Sequence, residues 1–193
     1  MTITAMRTYP KDVTLGRSDL SLTIRPLQSD DAPELLEFFR RVPEEDRFYL
    51  KEEVTSPEVI DRWAKHIDYN RVLPLVALIG GEIVADATLH RSRSKAQRHM
   101  GEIRVVVDPR YRNQGLGTLM TREIIDVAYD NALESVVFEL VEGKQDDAIK
   151  VAERLGFAKV AALPGFFKDL QGKDRKLVVM ELPLGDWLEW WAF

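Results

Sequence analysis

The residues best placed to do chemistry lie in the stretch EIRVVVDPRYRNQGLGTLM, residues 102–120. Gly115 and Gly117 let a ligand reach the backbone with no Cβ in the way, and Arg110 and Arg112 add positive charge beside them. Unpaired N–H groups at a helix start, with the positive end of the helix dipole, hold an anion, typically a phosphate. A helix start is expected here because Leu116, Leu119, Met120, Ile124, Val127 and Ala128 recur on one helical face. Ahead of it, Ile103, Val105, Val106 and Val107 form a β-branched run. Asp108-Pro109 ends that run, since proline has no donor for a sheet ladder. Strand, turn and helix together present main-chain amides to a phosphate-bearing ligand, although the same residues also suit a plain β–α connection with solvated arginines. No Gly-Lys-Ser/Thr follows the second glycine, as a Walker loop requires. The three glycines and early strand–helix–strand unit of a dinucleotide fingerprint are missing too.

The remaining residue types exclude several chemistries. There is no cysteine, so disulfides, thiolate zinc sites and a thiol nucleophile are ruled out. His66, His90 and His99 lack metal-ligand spacing and read as surface or internally satisfied histidines, so no metal is expected. No Gly-x-Ser-x-Gly is present, which removes the serine-hydrolase reading. With 27 basic and 32 acidic residues the net charge is −5, which argues against non-specific nucleic-acid binding and suits a cationic substrate. Glu44, Glu45 and Asp46 either line the approach of such a substrate or form a solvated face.

A chain of 193 residues, 45% hydrophobic, is one domain with a full core. The first residues lack the apolar core of a signal peptide, and no apolar run reaches membrane-spanning length, so a cytoplasmic protein with no membrane partner is expected. Residues 1–19 read as an aperiodic N-terminal extension, residues 20–184 as the domain and residues 185–193 as a tail. Leu20, Leu22 and Ile24 alternate with polar residues as a first strand. Ser29, Asp30 and Asp31 offer an N-cap to a helix with Ala32, Leu35, Leu36, Phe39 and Val42 inward. A second helix starts at Ser56-Pro57-Glu58 and buries Val59, Ile60, Trp63 and Ile67. Residues 72–79 and 83–90 pair through Gly80-Gly81 as a hairpin. After the glycine-turn helix come a strand at Ser135–Val141 and a helix over 146–155 stopped by Gly156. Two strands follow (157–162 and 176–182), with Pro164, Gly165 and Gly172 in the loop between them. In the tail, Trp187, Trp190, Trp191 and Phe193 fold back on the domain or form a homodimer contact.

This order of elements resembles the GNAT superfamily of acetyl-CoA-dependent N-acetyltransferases. The resemblance rests on Arg112-Asn113-Gln114-Gly115-Leu116-Gly117 after a valine strand, and on Ala148-Ile149 followed by Arg154-Leu155-Gly156-Phe157. It covers roughly residues 20–184. The GEIRVVV strand and the helical region 43–62 are similar to the catalytic domains of bacterial protein-lysine acetyltransferases. The implied fold is α/β (α+β): a GNAT-like mixed, mostly antiparallel, twisted sheet of about six or seven strands with helices on both faces.

The resemblance also implies a site. Acetyl-CoA is the co-substrate and an amine the acceptor. The pyrophosphate would sit on the amides of Arg112, Gln114, Gly115, Gly117 and Thr118. The pantetheine arm would pair with the backbone around Val105 and Val107, where that strand splays from the next, and Gln145 would contact the arm. The same edge can polarise the thioester carbonyl. Direct transfer needs a neutral amine, and a lysine with a pKa of ~10.4 costs roughly 4.6 kcal/mol to deprotonate at pH 7. A base is therefore valuable. Glu102 is the family's usual place for it, with Glu139 on the next strand as the alternative; Glu102 also reads as a solvated strand-end carboxylate. One departure stands out. Many members have a tyrosine four residues before the glycine of Leu-Gly-Phe, as acid to the leaving thiolate, and here that residue is Ala152. The thiolate would leave unaided or take a proton from water. The same departure leaves open a CoA-binding regulatory module that has lost catalysis.

Overall fold

The computed structural model describes residues 8–16 and 19–185; the aromatic residues of the tail, Trp187 to Phe193, lie outside them. Eight strands form one sheet: β1 Lys11–Leu15, β2 Leu20–Pro26, β3 Val72–Ile79, β4 Glu82–Arg91, β5 Met100–Val107, β6 Ser135–Val141, β7 Ala158–Lys168 and β8 Asp174–Pro183. Their order is β1-β2-β3-β4-β5-β6-β8-β7. Every neighbouring pair is antiparallel except β5 and β6, which run parallel. Among the described residues there are five α-helices: α1 Ala32–Arg41, α2 Glu44–Arg47, α3 Pro57–Lys65, α4 Leu116–Asp130 and α5 Asp146–Arg154.

Strand alternation divides the core into two layers. Ile103, Ala85, Ala87 and Leu89 face α4 and α5, packing on Leu116, Met120, Ile124, Ile149 and Ala152. On the other face Val76 and Ile83 pack on Leu35, Phe38 and Phe39 of α1 and Ile60 of α3, with Val106 against them. The GNAT-like fold is therefore as expected, with helices on both faces and a mostly antiparallel sheet.

Three details differ. The sheet has eight strands rather than six or seven, because Lys11–Leu15, within the stretch read as an extension, pairs with β2. Tyr9 and Lys11 both bond the buried carboxylate of Glu123 on α4, which anchors this edge. The apolar alternation in this strand is confined to Val13 and Leu15, and its other residues are exposed. Second, Pro164 and Gly165 lie inside β7, not in a loop, and the pairing with β8 is irregular between Leu163 and Phe167. An edge strand tolerates proline because its N–H side needs no ladder partner. Third, Asp31 makes no side-chain cap to α1; its carboxylate instead takes Arg25 and the Gln28 N–H. Ser56 caps α3 through the Val59 N–H as expected.

Candidate active site

The β5–β6 pair opens into a wedge. Met100 to Ile103 register with Ser135 to Phe138, and the pairing then stops. Beyond that point β5 continues on β4 as far as Val107 opposite Ala85, and β6 continues on β8 as far as Val141 opposite Leu177. Residues 104–107 thus have a partner strand on one side only. Val105, Val106 and Val107 stay half-buried in a central strand, where closed neighbours would have covered them. Peptide groups on an open inner edge need a partner, and an extended ligand can supply it.

The wide end of the wedge leads to the glycine turn. Gly115 sits at the N-cap of α4 with φ +92°, a conformation that disfavours side chains. A Cβ there would meet nothing within 4 Å, so its outer side is open. The first turn of α4 has neither a side-chain cap nor an acidic residue, which leaves the helix start available to an anion. Gly117 and Thr118 follow on that turn, Gly117 with its Cα side toward Val107.

The arginines beside the turn prove largely committed. Arg110 bonds Asp108 and Glu82 and lies over the Tyr111 ring. Asp108 is fully buried and is also held by Arg41. Burial alone would raise the Asp108 carboxyl, but bonds from the Arg110 side chain and N–H and from Arg41 bring it down to about 2. Arg110 therefore braces the end of β5. Arg112 donates to Val107 O at 3.2 Å and pairs with Asp46 at 2.8 Å, and Gln114 donates to Arg110 O. Gln145 precedes α5, and its side-chain oxygen accepts from the Val141 N–H at 2.8 Å, at the end of β6. Both donor-side glutamines are at the wedge but already engaged.

At the vertex the structure gathers residues the sequence keeps far apart. Lys51 Nζ lies 2.9 and 3.0 Å from the two carboxylate oxygens of Glu102 and 3.2 Å from Glu139 Oε2. The two candidate bases therefore flank one ammonium. Arg104 Nε donates to Glu102 Oε1 at 2.8 Å. Burial pushes the Glu102 carboxyl up, but the bonds from Arg104 and Lys51 outweigh it and leave it below the ordinary range. Glu102 is thus an ionised, partnered carboxylate rather than a free strand-end charge.

Glu102 continues a polar row across two strands. His90, Thr88 and Asp86 of β4 register with Glu102, Arg104 and Val106 of β5. Asp86 is buried and accepts from Thr88 Oγ1 at 3.0 Å. Burial pushes its carboxyl up to about 7, against the opposing pull of Thr88 and Arg104. Burial lowers the His90 imidazole to about 4, helped by Arg104. His90 is therefore neutral at pH 7. Lys51, Arg104 and Asp86 carried no signal of their own in the sequence: one lysine in a charged loop and two polar residues in strands are ordinary.

Among the described residues no group of His, Asp or Glu could hold a metal ion, and no helix is long and apolar enough to cross a membrane. A concavity of about 590 Å³ near Gln28, Lys65 and Tyr69 shares no residue with the wedge.

Over residues 33–157 the chain matches the acetyltransferase (GNAT) family. It belongs to that family. The L-amino acid N-acetyltransferase AaaT of Escherichia coli (strain K12) is 31% identical over 97 residues, 49% of this chain and 59% of that protein. The match thus spans about three fifths of the relative's length. The GNAT domain of S. lividans PAT superposes with TM-score 0.74 at 23% identity, covering 90% of this chain and 96% of that one. yncA from Salmonella typhimurium, solved with its cofactor acetyl-CoA, gives TM-score 0.73 at 20% identity, with 86% and 95% covered. The wedge and the glycine turn both lie within the matched GNAT segment.

Proposed function

We propose that this GNAT-family protein transfers an acetyl group from acetyl-CoA directly to a primary amine. The observation that carries the reading is the wedge: an inner edge at residues 104–107 without a partner strand, leading from an uncapped helix start to a pair of carboxylates. The pyrophosphate would rest on the amides of Arg112, Gln114, Gly115, Gly117 and Thr118. The pantetheine arm would take the open edge around Val105 and Val107, and Gln145 would stand beside it. That yncA was solved with acetyl-CoA supports the choice of donor.

At the vertex, an amine entering beside Glu102 and Glu139 meets acceptors for its proton. Glu102 is ionised at neutral pH and takes the proton directly or through one water. Main-chain N–H groups on the open edge of β5 would stabilise the tetrahedral oxyanion. Ala152 is fully buried on α5, so no hydroxyl stands at that position to protonate the thiolate. A CoA thiolate leaves readily enough to do without it. The acceptor is a primary amine: an amino acid's α-amine, as the name of AaaT suggests, or a lysine ε-amine.

Ala152 and the Lys51 ion pairs also fit a CoA-binding module without catalysis. Turnover separates the two. Purified protein with acetyl-CoA and a panel of amino acids, lysyl peptides and polyamines should release CoA thiol with at least one amine. Tight acetyl-CoA binding with no thiol release across the panel would favour the regulatory module.

A further inference from the structure

We infer that Lys51 is itself an acetyl acceptor: the protein acetylates its own Lys51 at the vertex of the β5–β6 wedge. The inference rests on the acetyl-transfer reading above and adds a modification site to it.

Three observations place this amine where an acceptor belongs. Pairing of β5 with β6 ends at Ile103 opposite Phe138. Glu102 and Glu139 are the residues next to that last pair, one on each strand, and Lys51 Nζ bridges them. The wedge runs from this vertex to the glycine turn along residues 104–107, about 10 Å at the ~3.3 Å rise of a strand. A donor anchored by its phosphates at the turn would carry its reactive end to the vertex. The loop bearing Lys51 is also held in place. Tyr49 packs edge-on against Phe167 of β7 at 5.9 Å between centroids, and Arg47 donates to Val42 O at 2.8 Å. Lys51 is nonetheless half exposed, so its end can shift by the small distance an attack requires.

The chemistry balances with acetyl-CoA alone. The Lys51 ammonium gives a proton to Glu102 or Glu139, and the freed lone pair attacks the thioester carbonyl. A C–N bond forms and the C–S bond breaks. The nitrogen gives up a second proton, which the leaving thiolate takes, and the carboxylate passes the first proton to water. The products are Nε-acetyl-Lys51, CoA and one released proton. Acetylation removes the charge that bridges the two glutamates, so the modified loop no longer occupies the carboxylates with a cation.

The test is peptide mass spectrometry of the full chain incubated with isotopically labelled acetyl-CoA at neutral pH. Lys51 should be acetylated at least about tenfold faster than the exposed Lys65, Lys150 and Lys168, as expected for an intramolecular amine of high effective concentration. Its rate should saturate in acetyl-CoA and be independent of protein concentration. Glu102→Gln and Glu139→Gln together should slow Lys51 acetylation. Equal rates at all lysines, or a Lys51 rate that rises with protein concentration, overturns the inference. Calorimetry with acetyl-CoA and the amine panel are run in parallel. If acetyl-CoA binds and an external amine is acetylated while Lys51 is not, self-acetylation alone fails. If acetyl-CoA does not bind, the acetyl-transfer reading fails and this inference falls with it.

Discussion

The two ends of the wedge are built differently. The glycine-turn end consists of main chain: an open strand edge, a left-handed Gly115 and an uncapped helix start. Its charged side chains, Arg110 above all, are spent on bracing Asp108 and Glu82. The vertex end consists of side chains from three separate segments, with Lys51, Glu102, Arg104 and Glu139 in one ion-pair network. Backbone sites tolerate change in most side chains but not in shape. Side-chain networks keep their shape and lose function with single charges.

Substitutions at the two ends should therefore fail in different ways. The largest effect is expected at the turn. Gly115→Glu places a carboxylate and a Cβ at φ +92°, where the phosphates would lie. Nothing within 4 Å opposes the Cβ, so the fold should survive at a modest cost while acetyl-CoA binding disappears in calorimetry. Unchanged affinity in a folded variant would show that the turn does not hold the phosphates.

At the vertex, Glu102→Gln should spare acetyl-CoA affinity and lower turnover by ~10²- to 10⁴-fold, the usual cost of losing a general base. The loss should shrink as pH rises and the amine deprotonates itself, and more so for a lysine-like acceptor. Because Lys51 and Arg104 hold the Glu102 carboxyl low, the wild-type acid limb assigned to it should lie below the ordinary glutamate range. The same shift stabilises the fold above the unfolded-state pKa, and that contribution is lost as pH falls through the lowered value. A pH–rate profile of the variant with an unaltered acid limb would point to Glu139 or a water instead.

Asp86 should show the opposite sign. Its folded-state value of about 7 lies above the unfolded ~3.9, so stability should fall as pH rises between those values and level off above them. Asp86→Asn removes the buried charge and keeps an acceptor for Thr88. It should raise stability by about 1–3 kcal/mol at pH 8 and leave it nearly unchanged at pH 4. Urea melts at the two pH values test this, and an equal effect at both would mean that burial is not what sets the titration.

The smallest effect on the site is expected behind the vertex, where β5 is paired with a strand on each side. A Cβ at Gly101 would come within 2.6 Å of Leu89 Cδ1 and 2.8 Å of Leu133 Cδ1. Gly101→Ala should cost about 1–3 kcal/mol, as overpacking does, read as a lower urea midpoint with an unchanged slope. A midpoint equal to wild type would mean that the two leucines move aside freely.

The same contrast explains what could be read from the sequence. The glycine turn and its strand and helix were legible because their signals are local: a β-branched run, Asp-Pro, two glycines and a helical apolar face within 27 residues of chain from Ile103 to Tyr129. The hairpin at Gly80-Gly81 was legible for the same reason. Glu102 and Glu139 could be picked out as carboxylates on neighbouring strands. What joins them could not, because Lys51 is 51 residues from Glu102 in sequence and only the folded loop brings it there. Arg110 and Arg112 were legible as positive charge but not as charge already neutralised, since Glu82 and Asp46 reach them through tertiary packing and add to the local Asp108–Arg110 pair. Strand β1 escaped notice because its apolar alternation is confined to Val13 and Leu15 among otherwise exposed polar residues.

Hydrogen exchange of the backbone amides, with and without acetyl-CoA, addresses the wedge directly. If the donor lies along the open edge of β5, its addition should slow exchange at residues 104–107 and 114–118 and leave the closed β3–β4 hairpin unchanged. Protection absent from these segments and found instead around Gln28, Lys65 and Tyr69 would contradict it and move the donor site to the other concavity.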